Sequence, residues 1–299
     1  MLPVVLAMSL IGAIAFMLNR DNGLTSNQIG ARSDHARARY AAEAGLQAAN
    51  YAIQAKACAG GYPISSSPVT DSNFGGAAYS AYANNTTGSP LTLTSTGSYN
   101  GASVTLTKSA VYAFQSIVQT WTGQPDSGSS NDTWVDPDAP NSTHGNSAEV
   151  RLDGGGRELL VEIDLPALPA GSKIVGANLM LYRNNSGAGT DSFYAMLITR
   201  SWSETFATWN VYTLLSPWPS PGVGYDLRPV SVNSYTAVSG SFQSLDVTNA
   251  ANAWRNGLYP NNGVWVRGGP LLNNAKFALS SDGDSTKRPK LVVSYLLPC

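Results

Sequence analysis

The chain has 299 residues, enough for two or three domains and for a sizeable buried core. Charged residues make up only 12% and the net charge is −1, so no global field recruits nucleic acid or steers an acidic partner. Ser, Thr, Asn and Gly take the place of the missing charge, a composition common in β-rich extracellular proteins.

The chain opens on an uncharged apolar run, Met1 to Leu18, interrupted only by Pro3, Ser9 and Gly12. As a helix, eighteen residues rise roughly 27 Å, close to the ~30 Å hydrocarbon thickness of a bilayer. A secretory signal peptide would need a basic stretch before this run and a small-residue cleavage pattern after it. Neither is present, and the opening has the form expected once a short basic leader has been removed. The run is then either held in a membrane or buried against copies of itself.

Residues 19–24 form a weak joint around Asn22-Gly23, and residues 25–57 read as a second, amphipathic half of the helix. Tyr40, Ala44, Ala48, Tyr51 and Ala55 recur at steps of four and three, which predicts one packed stripe, with Arg32, Arg37, Arg39 and Lys56 mostly on a solvated face. Gly60-Gly61 stops the helix. Residues 62–75 read as a loop. Three strands are predicted at 77–83, 91–96 and 102–113, the last two joined at Tyr99-Asn100-Gly101, a hairpin signal.

This opening resembles the type IV pilin-like subunits. The run from Arg37 to Leu46 (RARYAAEAGL) and the start Leu2-Pro3-Val4-Val5-Leu6 resemble the PilX-like subfamily. The resemblance covers about residues 1–115. It implies a precursor held in the inner membrane, a leader removed, and apolar helices packed into the core of a helical filament of many copies, with other pilins as further partners. Met1, Leu2, Val4, Val5, Leu6, Leu10, Ile11, Ile14, Phe16 and Leu18 would then form the filament interface. Most pilins carry a glutamate where this chain has Val5, and its absence is associated with minor or tip subunits.

From residue 116 the pattern changes to short alternating strands separated by turn residues, which predicts an all-β sandwich or jelly roll. Candidate strands lie at 132–135, 149–152, 158–163, 176–182, 194–198, 244–247, 263–267, 276–280 and 291–295. The motifs Asp132-Thr133-Trp134-Val135, Arg157-Glu158-Leu159-Leu160, Trp202-Ser203-Glu204-Thr205, Thr208-Trp209-Asn210, Leu245-Asp246-Val247-Thr248, Trp254-Arg255-Asn256-Gly257 and the closing Arg288-Pro289-Lys290 run resemble the DNRLRE-type jelly-roll domain. That family occurs in secreted and carbohydrate-associated proteins. The expected fold class is therefore α+β: a long pilin helix (1–58) with a small antiparallel sheet (59–115), then a jelly-roll domain (116–299).

Enzyme signatures are missing. His35 and His144 stand apart from any nucleophile motif, and Glu158 and Glu162, four apart on one strand face, read as exposed strand rather than a glycosidase pair. Cys58 and Cys299 are an even pair and suggest one disulfide tying the last residue to the end of the first helical region; the alternative is two unrelated thiols. Asp136/Asp138 and Asp282/Asp284 offer either a calcium site or ordinary turn chemistry. All seven tryptophans lie beyond residue 116. Most read as core, while Trp218 in a Pro-rich loop is the best candidate for an exposed, glycan-stacking ring. Asn84, Asn85, Asn131, Asn141 and Asn184 are N-x-Ser/Thr sequons, either glycosylated or accidents of composition.

Three functions follow as expectations: a non-enzymatic structural subunit of an extracellular pilus-like filament with a jelly-roll head, a carbohydrate or surface adhesin delivered by its helix, or a monotopic membrane-anchored binding protein.

Overall fold

The computed structural model describes residues 2–124, 131–154, 156–185, 192–219, 227–234, 239–270, 272 and 274–299, with only the backbone course given for 2–27 and 227–234. Contacts divide the chain into two units, Met1–Ser116 with Pro298–Cys299, and Ile117–Leu297.

In the first unit, helix α1 (Leu2–Lys56) precedes strands β1 (Val69–Phe74), β2 (Ala77–Ala83), β3 (Leu91–Tyr99) and β4 (Ala102–Val111), paired antiparallel in that order. The backbone is helical across 19–24, where the sequence suggests a joint. The side chains of 1–27 lie outside the described residues, and so do all the expected interface positions: Met1, Leu2, Val4, Val5, Leu6, Leu10, Ile11, Ile14, Phe16 and Leu18. Among the described residues no helix is long and apolar enough to cross a membrane.

The packed face of α1 corrects the sequence reading. Ala38, Ala41, Ala42, Ala49 and Ile53 are fully buried, whereas Tyr40 is 66% and Tyr51 77% exposed. The reason is closeness of approach. A Cβ built on Gly97 of β3 would fall 2.1 Å from the Ala38 carbonyl oxygen and 2.4 Å from the Ala42 nitrogen. Only a stripe of small side chains lets the helix lie that near the sheet, and tyrosines are too large for it. The β3–β4 hairpin turns through Asn100 and Gly101, both at positive φ, the backbone that the Asn-Gly pair favours. Strand β1, in the stretch expected to be a loop, is a polar edge strand, a form that leaves little hydrophobic pattern to read. Cys58 and Cys299 form a disulfide within this unit, and the Cys299 amide donates to the Ala113 carbonyl at 2.9 Å.

The second unit is a β-sandwich. Its strands are β5 (Phe114–Gly123), β6 (Asn131–Val135), β7 (Glu149–Leu152), β8 (Glu158–Glu162), β9 (Lys173–Arg183), β10 (Ser192–Ile198), β11 (Val211–Thr213), β12 (Ser216–Pro217), β13 (Leu227–Ser234) and β14 (Ser241–Asp246). A short helix α2 (Thr248–Arg255) and strands β15 (Val264–Gly268), β16 (Ala275–Ala278) and β17 (Lys290–Pro298) follow. One sheet runs β13-β10-β15-β8-β6, and the other β5-β17-β9-β16-β7 with β14 also on β9.

Period-two alternation sends Leu159, Val161, Phe193, Ala195, Leu197, Val264 and Val266 inward, to meet Val150, Leu152, Leu179, Leu181, Phe277, Leu291 and Val293 from the facing sheet. The outward side chains of the five-stranded sheet are not left to water. Val135, Leu160, Ile198 and Trp265 bury under Trp202, Ala207 and Trp218 from the loop after β10, a second core on the outer face. Both faces of β8 are therefore buried, which is why its sequence, ELLVE, reads as nearly continuous hydrophobic.

Candidate functional site

The motif residues of the sandwich resolve first into internal scaffolding. Asp132 is fully buried, its carboxylate accepting from the Ser280 amide and hydroxyl, each at 2.7 Å. Burial pushes its carboxyl up to about 6, against the pull of the Ser280 hydrogen bonds and of Arg288. Glu204 lies close enough to accept from the Asp132 amide at 3.4 Å, and burial likewise pushes its carboxyl up. Glu158 is 7% exposed and accepts from the Trp265 indole N–H at 2.9 Å. Glu158 is thus part of the outer core and not the exposed face expected for the Glu158/Glu162 pair. Glu162 accepts from Asn131, and burial raises its carboxyl.

Trp134 has two ring partners. His144 stacks on it at 3.5 Å between centroids, with the planes 10° apart, and the Arg157 guanidinium lies 5.4 Å from its centroid. Burial lowers the His144 pKa. The Trp134 ring face under His144 is therefore closed to a ligand. Trp218 corrects an expectation: it is 4% exposed, donates its indole N–H to the Thr208 carbonyl at 2.9 Å, and packs on Tyr212. Proline placed it in a loop, but the loop folds onto the sheet and the ring is the apolar group available to cover it.

The two carboxylate pairs are occupied by turn chemistry. Asp136 accepts from Arg157 Nε at 2.8 Å and from the Asp138 amide at 2.9 Å; burial pushes its carboxyl up, but these donors outweigh it and hold it below the usual range. Asp138 is exposed. Asp282 accepts from the Asp284 amide at 2.8 Å, while Asp284 accepts from the Thr286 amide and hydroxyl and pairs with Lys287 at 3.3 Å. Among the described residues no three His, Cys, Asp or Glu side chains converge on a point that would hold a metal ion.

A cleft of about 350 Å³ lies open on the outer face of the five-stranded sheet, beyond the edge of the second core. Strand register builds it. Tyr194 and Arg267 are direct partners across β10 and β15, as are Met196 and Trp265, and Glu158 continues the first row on β8. Tyr194, Met196 and Arg267 line the cleft together with Gly154, Gly268, Gly269 and Pro270. Three backbone hydrogen bonds fix this wall: the Gly154 amide to the Leu272 carbonyl, Gly269 to Ser192, and Leu272 to Gly269. A Cβ on Gly154 would lie 2.5 Å from the carbonyl oxygens of Gly269 and Pro270, so only glycine fits there.

Tyr194 is half-buried and Arg267 exposed, and among the described residues neither side chain makes a hydrogen bond or ion pair. The arrangement therefore presents an aromatic ring, a thioether and a proline ring beside five guanidinium N–H donors. It can take a ligand with an apolar face and hydrogen-bond acceptors at its rim. Neither residue stood out in the sequence. The strand at 194–198 was legible, but the pairing that sets Tyr194 opposite Arg267 is a long-range contact with no local signature.

A two-sheet β-sandwich with an open cleft on one sheet face is the class of protein that this fold defines. Residues 123–295 match the model of carbohydrate-binding module family 96, and the chain belongs to that family. One solved structure, described as "Structural basis for the promiscuous specificity of the carbohydrate-binding modules from the beta-sandwich super family", is 11% identical, with 72% of this chain and 66% of that chain covered and a TM-score of 0.17. That likeness is too distant to inform the site. No curated protein matches the chain.

Proposed function

We propose that the chain is a carbohydrate-binding protein whose sandwich takes a glycan into the sheet-face cleft. The observation that carries this reading is the open Tyr194–Arg267 pair on a glycine-walled sheet face, and family membership supports it. A sugar ring has apolar C–H faces that suit Tyr194, Met196 and Pro270, and oxygen acceptors that suit Arg267. The test is titration of the full chain with a panel of neutral, amino and acidic polysaccharides. Arg267→Ala should weaken binding about tenfold to a hundredfold, the loss of ~1.5–3 kcal/mol for a hydrogen bond to a charged group. Tyr194→Ala should weaken it as well. Unchanged affinity in both variants rejects the cleft.

The finer reading adds that the N-terminal helix displays the sandwich as a subunit of an extracellular type IV pilus-like filament, inserted in the inner membrane before assembly. The exposed rings of Tyr40 and Tyr51, which the helix does not bury against its own sheet, favour it over a lone membrane anchor. Electron microscopy of expressing cells should show filaments that are lost on deletion of residues 1–18, and a detergent-soluble monomer in cells would sink this part alone.

A further inference from the structure

We infer that the sandwich carries a second sugar site, chemically unlike the first, in the cleft at the C-terminal end of α2. It rests on the reading of this chain as a carbohydrate binder, but not on the Tyr194–Arg267 cleft. The loop Asp164–Leu168, the α2 residues Trp254 and Arg255, and Asn261 enclose about 420 Å³ over the buried side chain of Ile174. That size falls within the ~300–1,000 Å³ range of small-molecule sites.

The walls are pre-set. Asn261 donates to the Ile163 carbonyl at 3.0 Å and accepts from the Gly263 amide at 3.1 Å, and the Leu168 amide donates to the Pro166 carbonyl at 2.8 Å. Arg255 donates through one terminal nitrogen to the Pro169 and Ser172 carbonyls, at 3.3 and 3.2 Å. That leaves its other N–H groups free of protein acceptors among the described residues. The Trp254 indole N–H is buried and has no acceptor among the described residues, so the ring serves the cleft as an apolar wall. Asp164 is exposed, and among the described residues its carboxylate accepts no hydrogen bond and forms no ion pair.

The ligand class follows from that inventory. The cleft combines an acceptor-only carboxylate, a donor-only guanidinium and an amide around an indole and two leucines. A cation would satisfy Asp164 and oppose Arg255, and an anion would do the reverse. A neutral polyol satisfies both, because each hydroxyl donates and accepts, and its C–H face suits the apolar floor. The cleft therefore fits a neutral hexose unit. Among the described residues the first cleft is lined by one charged group, the Arg267 cation, and sets no such requirement.

The experiment is isothermal titration of the full-length disulfide-bonded chain with neutral gluco-, galacto- and manno-oligosaccharides, repeated for Asp164→Ala and Tyr194→Ala. Asp164 is exposed and makes no hydrogen bond or ion pair among the described residues, so the melting point of its variant should stay at the wild-type value. The expected result is a binding component weakened at least tenfold by Asp164→Ala and unchanged by Tyr194→Ala. Weakening by Tyr194→Ala alone overturns the second site and keeps the first. Weakening of one component by both variants overturns it in favour of a single extended site. No response to either variant overturns both clefts. If the wild-type chain binds acidic polysaccharides but no neutral sugar, the second site falls while the proposed function stands.

Discussion

Gly97→Ala tests the argument that closeness of approach selected the packed face of α1. The added methyl would sit 2.1 Å from the Ala38 carbonyl oxygen, whereas carbon–oxygen contacts settle at about 3.3 Å or more. The helix must then back away locally by roughly 1 Å, a gap that forfeits a quarter to a half of the dispersion attraction along the contact. Overpacking of this kind costs about 1–3 kcal/mol, and the strand backbone recovers ~0.5–1 kcal/mol when Gly becomes Ala. The net, about 1 kcal/mol at the middle of these ranges, corresponds for a unit of this size to a drop of roughly 4–8 °C in melting point. The far-ultraviolet helix signal is the assay, because α1 holds most of the helix. Gly30→Ala is the control: nothing lies within 4 Å of a Cβ there, so the same change in an open stretch of helix should stabilise by about 1 kcal/mol. An unchanged midpoint for Gly97→Ala, or a loss shared equally with Gly30→Ala, would refute the close-approach argument.

Burial raises the Asp132 carboxyl from 3.8 to about 6, so its contribution favours the native state fully below about pH 4 and is lost as pH climbs through about 6. That loss is worth about 3 kcal/mol at ~1.4 kcal/mol per pH unit. Denaturant titrations should show the stability of wild type relative to Asp132→Asn falling by about that much from about pH 4 to about pH 7; a pH-independent difference contradicts the assignment. Reducing the Cys58–Cys299 bridge should destabilise the first unit by about 2–4 kcal/mol, and the double Cys→Ser variant should melt like the reduced protein and no longer respond to reductant. Added calcium should leave the melting point where it is, since Asp136 is engaged by Arg157 and Asp284 by Thr286 and Lys287; a rise would mean that these carboxylates can be recruited.

The division between sequence and tertiary structure follows from the range of the interactions. Local chemistry was readable in the chain itself. Asn100-Gly101 accepts the positive φ of a tight hairpin, alternating apolar residues marked most strands of the sandwich, and Gly60-Gly61 marked where α1 gives way. Helix α2 is eight residues long and escaped notice, since so short a run shows little periodicity, although Asp246 accepts from the Thr248 amide at its start. Long-range packing decided the rest. Tyr40 and Tyr51 had helical spacing but the wrong volume for a helix lying against Gly97. Trp218 had a loop's neighbours but a core's environment. The open cleft exists because β10 and β15 pair in a register that sets Tyr194 against Arg267, at a row the Trp202–Trp218 loop leaves uncovered. Period and turn chemistry are properties of neighbours in the chain and so belong to the sequence, while register, volume and cover belong to partners far apart in it and exist only once the sheets have formed.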